Sequence, residues 1–297
     1  MTVSAGAARL ETLLSQLADL VDVGQLVDRV ATEPEQLQDL FATYIAEALF
    51  FRRVLEPELS MLEPGSRVVE IGSGIGLLAR HIAAEGHTVI AFEPEAAGFG
   101  RMRRLSDLLD ASWRGGNRDI TFHHDHYTGH ELVGAPNLII AMHVIEHVKD
   151  PAQLIINATR SLAPKGSARF VCPNYAFPYE PHFEVPTVVN KRWTRRLARR
   201  VIARSPIADA QQFWDDLSWP SVRRLRRALR DADVDVEFSR RAIEMYVRRL
   251  DESAFVDRKG RAFRTLSKIA PRALVAASRR MPIAVVPIID LTTRKTS

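Results

Sequence analysis

One stretch restricts what this chain can fold into more than any other: VVEIGSGIGLLARHIAAEGHTVIAFEPE, from Val68 to Glu95. An apolar run ends in Glu70 and Ile71, a turn carries Gly72, Gly74 and Gly76, a helix-patterned segment runs from Leu77 to Glu85, and a second apolar run, Thr88 to Phe92, stops at Glu93. Strand, glycine turn, helix, strand and acid follow one another as in the front half of a nucleoside-binding α/β fold. Glycines at 72, 74 and 76 let the backbone turn sharply into the helix and let a ligand lie against main chain with no Cβ in the way. Glu93, at the end of the second strand, is placed to accept hydrogen bonds from ribose hydroxyls.

Two ligand classes use this layout. A dinucleotide turn has the spacing G-x-G-x-x-G and directs a helix N-terminus at a pyrophosphate. This chain has Gly72-x-Gly74-x-Gly76, with Leu77 where the third small residue would stand. An acid at position 70 repels a phosphate and suits a cation such as a sulfonium amino acid. The pattern Glu70-x-Gly72-x-Gly74-x-Gly76 resembles motif I of the class I S-adenosylmethionine (SAM) methyltransferases.

A second block, NLIIAMHVIEHVKDPAQLIINATRSLAPKGSARFVCPN from 137 to 174, reads as strand (138–142), helix (151–162), Pro-Lys-Gly turn and strand (168–172). It resembles strands four and five of the same family, whose members often carry E-H-V-x-D-P after strand four, here Glu146, His147, Val148, Asp150 and Pro151. The resemblance covers roughly residues 60 to 175 and implies a Rossmann-like α/β fold with a seven-stranded mixed sheet. Pattern alone supplies the rest: an N-terminal helical cap over 1–60, a third strand at 119–123, a lid insertion over 176–217, and a C-terminal section, 218–297. That section would hold a helix at 221–231, strand six at 234–240, a second insertion over 242–281 and a last strand at 283–291.

The resemblance also implies roles. The SAM carboxylate and amino groups would meet the turn, Gly72, Ser73, Gly74 and Gly76, and Glu70. The ribose would meet Glu93 and the adenine amino group Asp125, in FHHDHYTGH after strand three; His143, the first residue after strand four, is a further cofactor candidate. Methyl transfer to oxygen gains much of its acceleration from positioning, and a sugar or alcohol hydroxyl also needs a base or a metal. His147 and His182 are the catalytic candidates. In ubiquinone-pathway and small-RNA O-methyltransferases a Glu-x-x-Glu-His string at this place binds a divalent ion. Here His143 replaces the first glutamate, leaving a nitrogen-rich set of His143, Glu146, His147 and His182 better suited to a transition ion than to magnesium. A metal is not favoured, and the Glu-His pair reads equally as a loop-packing pair.

Composition narrows the partners. The chain is 46% hydrophobic, with one cysteine, Cys172, inside a strand. A lone buried cysteine builds no disulfide framework and fits a reducing, cytoplasmic setting. No secretory leader is expected in residues 1–8, and the apolar stretch 269–291 is broken by Arg272, Arg279, Arg280, Pro282 and Pro287, which argues against a membrane span. Residues 1–150 carry 12 basic against 22 acidic side chains, whereas 151–297 carry 29 against 14. The excess concentrates in KRWTRRLARRVIAR (191–204) and SVRRLRRALR (221–230). On a helix, Arg192, Arg195, Arg196, Arg199 and Arg200 make a basic face while Trp193, Leu197, Val201 and Ile202 gather elsewhere. Such a helix suits a solvated surface or peripheral contact with an anionic membrane; nucleic acid is less favoured, and no partner protein is implied. Trp193, Trp214 and Trp219 are expected in the core of the insertions, and Tyr175, Tyr179, Pro181 and Phe183 beside a planar or sugar acceptor.

The function expected is SAM-dependent O-methylation of a small-molecule or glycan hydroxyl. Alternatives are a metal-assisted O-methyltransferase on RNA or a phosphorylated, lipid-linked glycan, a non-catalytic SAM-binding adaptor, and a nicotinamide oxidoreductase.

Overall fold

A computed structural model describes residues 12–94, 99–114, 119–129, 134–205, 207, 209–248 and 279–296. Most of the expected second insertion lies outside the described residues, as do the first residues of the chain. The strand order is β3-β2-β1-β4-β5-β7-β6, the expected seven-stranded mixed α/β sheet. The chain divides into two compact units, Met1–Tyr127 and Thr128–Ser297.

In the first unit, β1 (Arg67–Ile71), β2 (Thr88–Phe92) and β3 (Ile120–His123) pair in parallel, with Glu70 beside Ala91 and Phe92 beside His123. Val68, Val69, Val89 and Ala91 are fully buried, as expected of parallel strands covered on both faces. Helices α1 (Val23–Ala31), α2 (Glu35–Val54) and α3 (Glu56–Leu59) precede the sheet; α4 (Leu77–Ala84) and α5 (Phe99–Asp110) follow β1 and β2. The N-terminal helices share one apolar core with α4 and α5: Phe41, Ile45 and Leu49 pack with Ile75, Leu77, Leu105 and Leu109.

In the second unit, β4 (Leu138–Met142) and β5 (Ser167–Pro173) are parallel, while β7 (Ile288–Lys295) runs antiparallel to both β5 and β6 (Val234–Phe238). Helices α6 (Pro151–Ser161), α7 (Lys191–Ala203), α8 (Ala210–Asp216), α9 (Val222–Ala228) and α10 (Arg241–Arg248) complete the described elements. The Asp-Pro pair of the second motif has a mechanical role. Asp150 Oδ1 accepts the Gln153 N–H at 3.0 Å and Pro151 occupies the first turn, so the pair starts α6.

The last strand corrects the sequence reading. Ile283–Val285 forms a 3-10 turn, and β7 begins after Pro287 and runs on through the polar Thr292, Thr293, Arg294 and Lys295. Hydropathy misses this because Thr292 and Thr293 are polar yet buried, while Arg294 and Lys295 continue the strand at the surface. Thr293, fully buried, meets the Thr159 hydroxyl at 2.6 Å, and Asp290 receives the Arg169 guanidinium through two hydrogen bonds of 3.0 and 2.9 Å.

The expected lid segment contributes Phe183, Val185, Ala198, Ile202 and Trp214 to a small core that Trp219 completes. Trp214 and Trp219 are core residues as expected; Trp193 is not, with 55% of its surface exposed. Ile202 also leaves the apolar group assigned to it, since it is buried while Leu197 and Val201 face outward.

Candidate functional site

The glycine turn lies at the C-terminal end of β1. Gly72, Gly74 and Gly76 all have positive φ (74°, 55° and 71°), which an L side chain rarely adopts. Their surroundings differ. A Cβ on Gly76 would sit 2.6 Å from both Phe122 and the Arg80 guanidinium, so the space there is filled by the protein and not left for a ligand. Arg80, 1% exposed, fixes this corner: Nη1 donates to the Ile75 carbonyl at 2.8 Å, Nε reaches Asp110 at 3.2 Å, and the guanidinium lies 4.8 Å over the Phe122 ring. Gly74 faces the Tyr44 ring, which a Cβ would approach to 3.0 Å. Tyr44 comes from α2.

Several turn amides are already used. The N–H groups of Gly72 and Ser73 donate to the Phe92 carbonyl at 2.7 and 3.0 Å, Gly76 donates to Ser73, and Gly74 donates to Glu93 Oε2 at 2.8 Å. These four N–H groups are thus engaged within the protein. Glu93 thus braces the turn through one oxygen and keeps the other. Burial pushes its carboxyl up, partly offset by the Gly74 N–H and the charge of His126.

Glu70 is the more telling acid. It is 4% exposed, its Oε2 has no hydrogen-bond partner among the described residues, and burial, then repulsion from Glu93, pushes its pKa up to about 8. A buried carboxylate in that state is stabilised by an incoming cation. The amino group of SAM supplies one, so the residues present fit that cofactor; a phosphate would supply no charge that favours the ionised form. Asp125 lies just past β3 in an exposed loop, where its Oδ1 accepts the His126 N–H at 2.8 Å.

The second unit gathers the histidines, but not all of them together. His143 follows β4 with φ 58°, and its Nε2 is bonded to the Tyr246 hydroxyl of α10 at 3.2 Å. Glu146, His147 and His182 form a separate cluster whose ligand-capable atoms lie within 4.8 Å of one another. Glu146 is fully buried, with His147 Nε2 4.0 Å from its Oε1. His147 and His182 meet edge-on, ring centroids 5.2 Å apart, and Phe213 of α8 touches both. Burial, then the charge of His182, pushes His147 down to about 4, so its ring is neutral near pH 7.

His182 is held from behind. Its Nδ1 lies 2.7 Å from Oε1 of Glu180, a fully buried acid that also accepts the N–H groups of His182 and Phe183. Burial would raise Glu180, but the hydrogen bond and charge of His182 with these N–H groups outweigh it, and its pKa falls below the ordinary value. An ionised carboxylate only accepts, so Nδ1 carries a proton in either state of the ring, and Nε2 offers a lone pair when the ring is neutral. The sequence reading named His182 and passed over Glu180; the only signal was a carboxylate two residues away.

Beside this cluster is a cavity of about 720 Å³ whose wall includes Tyr175 stacked on Trp219 at 4.8 Å, with Lys191, Arg192 and Arg224 around it. Trp219 holds φ 55°. Its neighbour Ser218 ties the cavity to the cluster by donating from N and Oγ to the Glu146 carbonyl at 2.7 and 3.1 Å. Cys172 is buried, and burial then Glu146 raise its thiol well above the ordinary value, which leaves it an inert core residue.

Comparisons with known proteins bear on the family and the fold. Two uncharacterized proteins, from Mycobacterium tuberculosis strains CDC 1551 / Oshkosh and ATCC 25618 / H37Rv, are each 30% identical over 253 residues, 83% of this chain and 84% of theirs. Among solved structures, a candidate sarcosine dimethylglycine methyltransferase from Galdieria sulphuraria has a similar fold, with a TM-score of 0.50 at 15% identity over 85% of this chain and 88% of that one. A family model described as a methyltransferase domain matches residues 38–237, more than half of the chain and inclusive of Tyr44, the glycine turn and the Glu180–His182 pair. A match of that extent shows the family, and the chain belongs to the SAM-dependent methyltransferases of the class I fold.

Proposed function

We propose that the protein methylates a hydroxyl oxygen of a small-molecule or sugar acceptor, with His182 as the base. The observation that carries this reading is the 2.7 Å contact between His182 Nδ1 and the buried Glu180. It is the base-and-orienter arrangement that proton removal from a weakly acidic hydroxyl needs. Bound SAM supplies an electrophilic methyl group on a sulfonium sulfur. Glu70 would neutralise the amino group of SAM, and the free Glu93 oxygen would accept from its ribose. On the acceptor side, His182 Nε2 would take the hydroxyl proton, while Glu180 stabilises the resulting imidazolium. His147, with a pKa of about 4, is too weak a base for that step and is suited to accepting a hydrogen bond that orients the acceptor. The Tyr175–Trp219 wall and the three cations of the neighbouring cavity suit a sugar or aromatic group bearing negative charge.

The test is an acceptor screen that detects S-adenosylhomocysteine, followed by determination of the methylated atom. An O-methyl product and a His182→Ala variant that still binds SAM but loses turnover are expected. A product methylated on nitrogen or carbon, or full turnover in the variant, would defeat the reading.

A second reading, metal-assisted transfer, is favoured by the approach of Glu146, His147 and His182 within 4.8 Å. Two imidazoles and one carboxylate are a donor set for zinc, with Glu180 orienting His182 from behind. The donors would have to close to about 3.4 Å apart around a tetrahedral ion. Calorimetric titration with zinc in wild type and His147→Ala decides: a one-to-one site lost in the variant supports a metal, and no heat in wild type excludes this reading.

A further inference from the structure

Six large hydrophobic side chains are exposed among the described residues, and four of them lie on α7 or just before it: Val189 (94%), Trp193 (55%), Leu197 (70%) and Val201 (48%). Chance scatter would spread them over the surface. At helical spacing Trp193, Leu197 and Val201 fall within one arc of about 80°. Thr194, Ala198 and Ile202 occupy the neighbouring arc and are buried in the unit's own core, so the exposed stripe is not the face that anchors the helix. Arg196 and Arg200 border the stripe on its other edge, with Arg192 and Arg199 beyond them. No salt bridge of Arg192, Arg196, Arg199 or Arg200 is found among the described residues, whereas Arg195 is engaged by Asp215 at 2.8 Å. The helix is itself secured: Asn190 accepts the Trp193 N–H at 3.1 Å, and Lys191 Nζ donates to the Asp215 and Leu217 carbonyls at 2.8 and 2.6 Å.

We propose that this face of α7 docks the enzyme on an anionic lipid bilayer, with Trp193, Leu197 and Val201 entering the headgroup boundary and the arginines meeting lipid phosphates. Charge complementarity selects the occupant. A Trp-Leu-Val stripe edged by unpaired arginines matches an interface that is apolar below and negative above. A second copy of this chain would bring four like charges against four. The helix, about 20 Å long, lies flat rather than spanning, and no helix among the described residues is long and apolar enough to cross a membrane. The inference stands apart from the O-methylation reading and holds whichever atom is methylated.

The test uses the full chain with vesicles of phosphatidylcholine alone and of phosphatidylcholine with phosphatidylglycerol. Three readouts are co-sedimentation at low and raised salt, tryptophan emission, and sedimentation velocity without lipid. Binding to the anionic vesicles, weakened by salt, with a blue-shifted emission from Trp193, is expected. Exchanging Trp193, Leu197 and Val201 for serine should abolish the blue shift, and exchanging Arg196, Arg199 and Arg200 for glutamine should cut anionic binding on the order of a hundredfold. Both variants should melt like wild type, because they alter only exposed side chains. Absence of binding at low salt, equal binding by wild type and both variants, or a lipid-independent dimer that the serine variant dissolves would each overturn the proposal.

Discussion

Glu180 stands directly behind His182, its Oε1 2.7 Å from the ring Nδ1, and it is the buried member of the pair. A negative charge placed there raises the proton affinity of the imidazole and fixes which nitrogen faces outward. Glu180→Gln keeps the shape and removes the charge. The acid limb of the pH–kcat profile should then move to lower pH and kcat should fall, with His182→Ala losing about 10²–10⁴-fold. A purely structural Glu180 would leave the acid limb where it is.

The same carboxyl links activity to stability. Its folded-state pKa is depressed, so its contribution is fully present above the ordinary value of 4.5 and is lost as pH falls through the folded value. His147 acts in the same direction over a higher window. Its folded pKa of about 4 lies below the ordinary value of 6.5, so the unfolded chain binds the extra proton and stability drops as pH falls from 6.5 towards 4. Melting temperatures across that window should fall in wild type and fall less in His147→Phe. Parallel curves for the two would assign the loss elsewhere.

Glu70 titrates the opposite way. Its folded pKa is raised to about 8 from 4.5, so in the ligand-free protein the unfolded chain loses its proton first and stability declines as pH rises between those values. A cation arriving beside the carboxyl should reverse this by driving ionisation. SAM binding at pH 7 should therefore release close to one proton, measured by calorimetry in buffers of different ionisation enthalpy. Glu70→Gln should release none and bind more weakly. Proton uptake, or binding with no proton exchange in wild type, would remove Glu70 from contact with the amino group.

Two glycines separate backbone need from space. At Gly65 (φ 79°) an added Cβ would enter open space, whereas at Gly76 (φ 71°) it would meet Phe122 and Arg80 at 2.6 Å. Gly65→Ala should cost only the backbone strain, about 1 kcal/mol, and Gly76→Ala should cost clearly more, about 2–4 kcal/mol, in chemical denaturation. Equal costs would mean that Phe122 and Arg80 yield easily.

The core of the fold was legible because its signals are local. Parallel strands buried on both faces are short apolar runs, and β2 and β4 have the bounds that the sequence reading gives them. The glycine turn was legible for the same reason. What escaped depended on partners far along the chain. Tyr44 reaches Gly74 from a helix that reads as ordinary amphipathic sequence, and Tyr246 reaches His143 from 103 residues away. The histidine string looked like one four-residue set, yet the turn after β4 sends His143 to Tyr246 and leaves Glu146 and His147 with His182. The face of α7 was misread in part because periodicity separates apolar from charged arcs and does not say which apolar arc the protein covers.

Asp290 shows the same limit in the sheet. It falls inside the expected last strand, where the sequence alone names no partner for its charge; it is 1% exposed and collects four hydrogen bonds: two from Arg169 of β5, one from the Ser239 hydroxyl at 2.7 Å and one from the Ala242 N–H at 2.9 Å. It joins β7 to β5 and to the start of α10, the helix that carries Tyr246. Removing it takes from the Arg169 guanidinium, 3% exposed, the carboxylate that accepts two of its hydrogen bonds. Breaking such a pair by removing one partner costs about 3–5 kcal/mol, whereas replacing both with apolar groups is often near neutral. Asp290→Ala should therefore lower stability to urea by that amount, and Arg169→Met combined with Asp290→Leu should recover part of the loss. The recovery should be incomplete, because Ser239 and the Ala242 N–H stay unsatisfied in the double variant. A single variant within about 1 kcal/mol of wild type would mean that water replaces the carboxylate and that the pair does not hold β7 in place.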